Sequence, residues 1–258
     1  MKLQLLAHRG GMGRAPENTL ASFKQALADG ADGYECDVCL TQDKQPVLIH
    51  IGFNSNNIRA ATGCSTPLNQ LTWEDVQQLT SVTSDEPVAH LDDALKFTKE
   101  NQIPCFVEPK SDAPELLPII VERIRHFDVV HLVSILTFYI RKHLLVDAKR
   151  LEPRLKTSAI LINPMANFLK VADAIDANRI ILGWSGLNHF QIHNGVTFGA
   201  VKRKVEALRE NGIVVEAGFI QTAKDVVWAV SPDKAGGVDG LWVDDVPYIR
   251  RCLQELEP

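Results

Sequence analysis

Seven side chains within the first 110 residues have the types and spacing of a reaction centre: His8, Arg9, Glu35, Asp37, His50, Glu108 and Lys110. His8-Arg9 closes a short apolar run, QLLA, and glycines follow at 10, 11 and 13. Glu35 and Asp37 stand two apart in GYECDVCL, so a strand there presents both from one face. Glu108 and Lys110 share a face in the same way at the end of PCFVEPK, and His50 ends PVLIH. Three carboxylates with no thiolate among them make a hard oxygen site, suited to one divalent cation, Mg2+ or Ca2+, rather than a structural zinc. Imidazole titrates near working pH, so the two histidines suit an acid and a base. Arg9 and Lys110 supply positive charge for an anionic substrate, the arginine as a fork on phosphate oxygens. Each residue taken singly reads as well as a solvated or salt-bridged side chain; their shared position at strand ends carries the argument.

That position requires elements to hold it. Strand-like runs at 3–7, 33–40, 46–50, 104–109, 129–136, 155–162, 180–184, 213–217 and 240–243 alternate with helical patterns at 19–29, 73–79, 91–99, 114–126, 138–148, 166–177, 197–211 and 223–230. Such alternation predicts a parallel sheet. Nine strands exceed a barrel of eight. The link from Leu40 to Pro46, however, is far too short for a parallel crossover. CLTQDKQPVLIH therefore reads as a hairpin turning at Gln42-Asp43-Lys44, which returns His50 toward Glu35 and Asp37. The predicted fold is α/β: a (β/α)8 TIM barrel with a β-hairpin excursion after the second strand. Barrels of this kind carry their chemistry at the C-terminal ends of the strands.

Composition sets the outer limits. A chain of 258 residues, 45% hydrophobic and 23% charged, can bury a sizeable core. With no linker or repeat, it is expected to form a single domain over 1–258. A net charge of -5 gives no basic footprint for nucleic acid. No secretory signal or membrane span is expected. Five cysteines point to reduced thiols and a cytoplasmic home. Cys36 and Cys39 form a C-x-x-C, but a strand turns them to opposite faces, which favours packed thiols. Asn18 is expected to cap the helix TLASFKQAL, with Glu17 beside it. His90 reads as a helix-boundary residue, and His126, His131 and His143 as surface or packed. His189 and His193 follow a late strand and could reach the barrel mouth; Trp184 and Trp242 are expected to pack or line a groove. The sequence does not fix the oligomeric state.

Taken together, AHRGGMGRAPENTLASFKQALADGADGYECDV, TQDKQPVLIH and FVEPK resemble the glycerophosphodiester phosphodiesterase family. The order H-R-G, P-E-N-T, G-x-E-x-D-V is specific, and the likeness continues more weakly through VSILTFYIRKHLL, GLNHFQIHNG and GVDGLWVDD. The resemblance implies a distorted (β/α)8 barrel that hydrolyses small phosphodiesters to an alcohol and sn-glycerol 3-phosphate. It implies Glu35, Asp37 and Glu108 as metal ligands, His8 and His50 as the acid/base pair, and Arg9 and Lys110 as phosphate contacts. It further implies attack by the neighbouring glycerol hydroxyl, giving a cyclic phosphate that water opens. The chain departs from the family pattern at Ile51, where an acidic residue is usual, at Gly218 to Gln221 in place of Trp-Thr-Val-Asn, and at Ser134-Ile135 in place of Ser-Phe. These departures leave two alternatives: a lysophospholipase D-type hydrolase, or a catalytically silent phosphodiester-binding homologue.

Overall fold

The structure, a computed structural model, describes residues 2–183, 198–231 and 237–256. Its strands are β1 (Gln4–Ala7), β2 (Gly33–Leu40), β3 (Pro46–Leu48), β4 (Cys105–Pro109), β5 (Val133–Phe138), β6 (Lys156–Leu161), β7 (Arg179–Leu182), β8 (Val214–Ile220) and β9 (Gly240–Val243). The described helices are α1 (Leu20–Ala28), α2 (Arg59–Thr62), α3 (Trp73–Val76), α4 (Leu91–Asn101) and α5 (Leu116–His126), then α6 (Lys142–Leu151), α7 (Phe168–Asp173), α8 (Phe198–Glu210), α9 (Ala223–Val230) and α10 (Val246–Gln254).

Eight strands run parallel in the order β1-β9-β8-β7-β6-β5-β4-β2, and β1 closes the barrel on β2 through Leu6↔Gly33 and Ala7↔Tyr34. The ninth strand, β3, pairs antiparallel with β2, matching Val38 to Leu48 and Leu40 to Pro46. The hairpin expected from the short link is therefore present. Beyond Leu48, Ile49 N–H still donates to Asp37 O at 3.2 Å, while Leu48 N–H donates to Ala89 O at 2.9 Å on the other edge.

Alternation along the strands divides the core. Tyr34, Cys36 and Val38 face the helices, where Phe23, Tyr34 and Phe97 pack ring against ring. Leu6, Phe106, Leu136, Ile160, Ile181 and Trp242 fill the barrel itself. Beneath them Arg179 pairs with Glu216, and Trp242 Nε1 donates to Glu216 Oε2 at 2.8 Å. A smaller cluster of Cys39, Val47, Ile49, Ile51, Ile58 and Leu68 holds the segment between β3 and α4. Cys36 and Cys39 thus lie in different clusters, as their spacing predicts.

The cap of α1 differs from the sequence expectation. Thr19 is the N-cap, in a reciprocal box with Ser22. Asn18 instead has φ 58 and sends its side chain across the barrel mouth. Just before it, β1 runs into a tight turn at His8–Gly10 in which Arg9 has φ 50. Gly10 has φ +81, and a Cβ there would collide with Ser22 and come within 2.8 Å of Phe23. Gly10→Ala is expected to destabilise the protein by at least about 1–3 kcal/mol, the usual cost of such a backbone alone. A urea titration checks this, and an unchanged midpoint would mean the turn relaxes freely.

Candidate active site

The pleat of β2 turns Glu35 and Asp37 inward, and the register sets Asp37 beside Glu108 of β4. All three carboxylates are buried, and their oxygens lie within 4.8 Å of one another. Lys110 Nζ stands 3.1 Å from Asp37 Oδ1 and 3.0 Å from Glu108 Oε2. The left-handed turn at Arg9 directs its backbone N–H to Glu35 Oε2 at 2.9 Å. Its guanidinium donates to Glu17 Oε2 at 2.8 Å and approaches Asp37 Oδ2 at 3.4 Å. Asn18 holds Asp37 twice: Nδ2 donates to Oδ2, and Oδ1 accepts the backbone N–H, each at 2.9 Å.

The electrostatics are those of crowded negative charge. Burial, then the charges of Asp37 and Glu108, pushes the Glu35 carboxyl well above its ordinary value. Burial also drives Glu108 up to about 7, against the pull of Lys110 and with the push of Asp37. Burial alone would raise Asp37 too; Lys110, His50, Arg9 and the Asn18 hydrogen bond outweigh it and hold that carboxyl down. Glu108 Oε1 is buried with no hydrogen-bond partner among the described residues. Clustered hard oxygens with an orphaned acceptor fit a small divalent cation of the Mg2+ or Ca2+ type.

His8 and His50 flank the carboxylates. His8 Nδ1 lies 2.8 Å from Asp244 Oδ1, and Asp244 Oδ2 accepts Gln221 Nε2 at 3.0 Å. Burial works against the Asp244 charge, but the His8 contact, Gln221 and Arg9 keep its carboxyl below the ordinary value. The aspartate thus fixes the ring and leaves Nε2 for a reacting group. His50 Nδ1 is 4.0 Å from Glu17 Oε1. Burial, with Arg9 and Lys110, lowers the His50 imidazole and makes its protonated form a stronger acid. Ile51 is absorbed by the small apolar cluster, and the negative charge acting on His50 comes from Asp37 and Glu17.

The sequence profile of the Glycerophosphoryl diester phosphodiesterase family matches residues 8–247. The chain belongs to that family. A glycerophosphodiester phosphodiesterase of Caldanaerobacter subterraneus subsp. tengcongensis is 24% identical over 258 residues, covering 95% of each chain. In fold, the chain is similar to an Oleispira antarctica phosphodiesterase solved with the product sn-glycerol-3-phosphate. That pair has TM-score 0.78 and 20% identity, covering 97% of this chain and 96% of the other. A glycerophosphodiester phosphodiesterase of Agrobacterium tumefaciens gives TM-score 0.73 at 18% identity, covering 95% and 97%. Membership places the protein among the phosphoric diester hydrolases.

In this family member the carboxylates open into a cavity of about 220 Å³ at the C-terminal end of the barrel. His8, Arg9, His50 and Lys110 line its polar end, and Phe53, Leu136, Phe138, Ile160, Phe219 and Trp242 its walls. Phe53 is wedged between Lys110 Nζ, 4.5 Å from the ring centre, and the Arg141 guanidinium, at 4.1 Å. Asn54 ties its loop to the exit of β4, donating to Asp112 Oδ2 at 2.8 Å and accepting from Asp112 N at 2.7 Å. Phe219, with φ 58 in the irregular end of β8, meets His8 edge-on at 6.0 Å. The GFIQ departure therefore keeps an aromatic, Phe219, at the mouth.

All seven side chains singled out in the sequence gather here. Asn18, Glu17 as a partner of Arg9, Asp244 and Gln221 were not identified as site residues. Of the other histidines, His90 caps α4 and His143 pairs with Asp112 at 2.9 Å. Trp184, His189 and His193 lie outside the described residues.

Proposed function

We propose that this protein hydrolyses glycerophosphodiesters to an alcohol and sn-glycerol 3-phosphate, using one Mg2+ or Ca2+ ion and the pair His8 and His50. The observation that carries the reading is the convergence of Glu35, Asp37 and Glu108 within 4.8 Å, between two histidines and two cations. Those carboxylates would hold the metal, which when bound supplies positive charge to the phosphoryl oxygens. Arg9 and Lys110 grip the remaining phosphate oxygens and hold the diester against the carboxylates. His8, steadied by Asp244, takes the proton of the neighbouring glycerol hydroxyl as it attacks phosphorus. His50 gives a proton to the departing alcohol oxygen, and the roles reverse when water opens the cyclic phosphate. The apolar walls favour one variant of this reading: a lysophospholipid whose single chain leaves the glycerol along Phe138 and Phe219. We place the protein in the cytoplasm as a single domain over 1–258. Its five cysteines are unpaired, and among the described residues no helix is long and apolar enough to cross a membrane.

The two histidines separate by leaving group. His50→Ala is expected to lower kcat about 10²–10⁴-fold on an alkyl diester. On a nitrophenyl diester, whose leaving group needs no proton, the loss is expected to be far smaller. His8→Ala is expected to lower both. Equal losses for both substrates in both variants would contradict the assignment.

A further inference from the structure

The Lys110 ammonium is held by contacts of two kinds. Asp37 and Glu108 hold it by charge, at 3.1 and 3.0 Å. The face of Phe53 holds it by a cation–π contact, 4.5 Å from Nζ to the ring centre. The carboxylates have a second task as candidate metal ligands, whereas the ring has none. A lysine ends a flexible four-carbon stem, so an ammonium that grips phosphate needs a support of this independent kind.

Phe53 sits half-buried on a loop, and the loop is tied down at both ends of the contact. Asn54, at φ 58, donates its N–H to Lys110 O at 2.8 Å and makes its reciprocal side-chain pair with Asp112. The ring also meets the buried Arg141 guanidinium, 4.1 Å from its centre. Arg141 is fixed in turn: Nε and Nη2 donate to Asp112 Oδ1 at 3.2 and 2.6 Å, and Nη1 to Pro109 O at 3.1 Å. Asn54, then Arg141 and His143, hold the Asp112 carboxyl down at about 2, so it stays charged beside the guanidinium. That charge offsets Arg141, which therefore offers the ring a flat stacking surface with little net field against Lys110. We infer that Phe53 is a positioning residue for Lys110, and that Arg141, anchored by Asp112, holds the ring in place. The inference rests on the phosphodiesterase reading above, in which Lys110 grips a phosphate oxygen.

The test joins a spectroscopic signature to a mutant cycle. In protein with lysines labelled at Cε, one proton signal, absent from Lys110→Met, is expected upfield of the others, displaced by the Phe53 ring current. Phe53→Leu is expected to return it to the ordinary lysine position, and Arg141→Met to move it part of the way. On a nitrophenyl glycerophosphodiester, Phe53→Leu is expected to lower kcat/KM about tenfold and Arg141→Met about threefold. Phe53→Tyr, which keeps the ring, is expected to stay within about twofold of the native chain. In a Lys110→Met background, Phe53→Leu is expected to cost less than about twofold, since no ammonium remains to be placed. Equal losses in both backgrounds would make Phe53 a structural residue and overturn its positioning role. A lysine signal unmoved in Arg141→Met would overturn the part given to Arg141. A native chain that shows the displaced signal but hydrolyses no diester would overturn the phosphodiesterase reading and the role built on it, while the ring contact would stand.

Discussion

With divalent cations chelated, Glu108→Gln is expected to be more stable than the native chain at pH 8, and to be nearly inactive once metal is restored. The native Glu108 carboxyl titrates near 7 instead of 4.5, raised by burial and by Asp37 against the pull of Lys110. Between those two values the folded state binds more protons than the unfolded one, so the native chain loses stability as pH rises through that window. An amide does not titrate, and it removes one of three crowded charges, so the variant loses less. Below the window, at pH 4, the advantage is expected to vanish. Added Mg2+ or Ca2+ is expected to stabilise the native chain by binding its folded state, and the variant much less. Activity is expected to fall about 10²–10³-fold, because electrophilic assistance is worth several kcal/mol and each 1.36 kcal/mol is tenfold. Urea midpoints at the two pH values, with and without cation, check the stability part. A variant weaker than the native chain at both would show that the Lys110 contact outweighs the charge crowding.

Glu216→Ala is expected to produce the largest loss of stability, about 3–5 kcal/mol, because it strands a partner charge inside the barrel. Among the described residues Arg179 would keep Gln4 Oε1, at 3.4 Å, and the face of the Phe106 ring, neither of which carries a charge. Trp242 Nε1 would lose its acceptor as well. For a chain of this size the melting temperature is expected to fall roughly 6–20 °C. Glu216→Gln leaves an acceptor for the indole and is expected to fall less. Since Trp242 also forms a wall of the reaction cavity, KM is expected to rise in the alanine variant even when it is assayed well below its melting point. Thermal unfolding followed by circular dichroism gives the first number, and a loss under 1 kcal/mol would mean that water reaches the barrel floor and replaces the pair.

Which features were legible in the sequence follows from how far the deciding contact reaches. The hairpin at 40–46 was legible because chain length alone forbids a crossover there. Glu35 with Asp37, and Glu108 with Lys110, were legible because a strand's pleat is a local rule. Asn18 was misread as a cap because local spacing suits one. Its side chain in fact serves Asp37, 19 residues away, and Thr19 caps instead. Asp244 meets His8 across 236 residues, and nothing in VDD distinguishes it from Asp245, which caps α10. Phe219 was not legible as a mouth residue because the strand pattern ends at Ala217, whereas β8 continues irregularly to Ile220. α2 left no periodic trace, since it is four residues long.

The most direct test is the release of sn-glycerol 3-phosphate from a panel of glycerophosphodiesters, with Mg2+, with Ca2+ and with chelator, by the native chain and by Glu35→Ala. Release by the native chain that requires one of the two cations, and is lost in Glu35→Ala, is the predicted result. Release that persists in chelator, or no release from any diester with either cation, would contradict it.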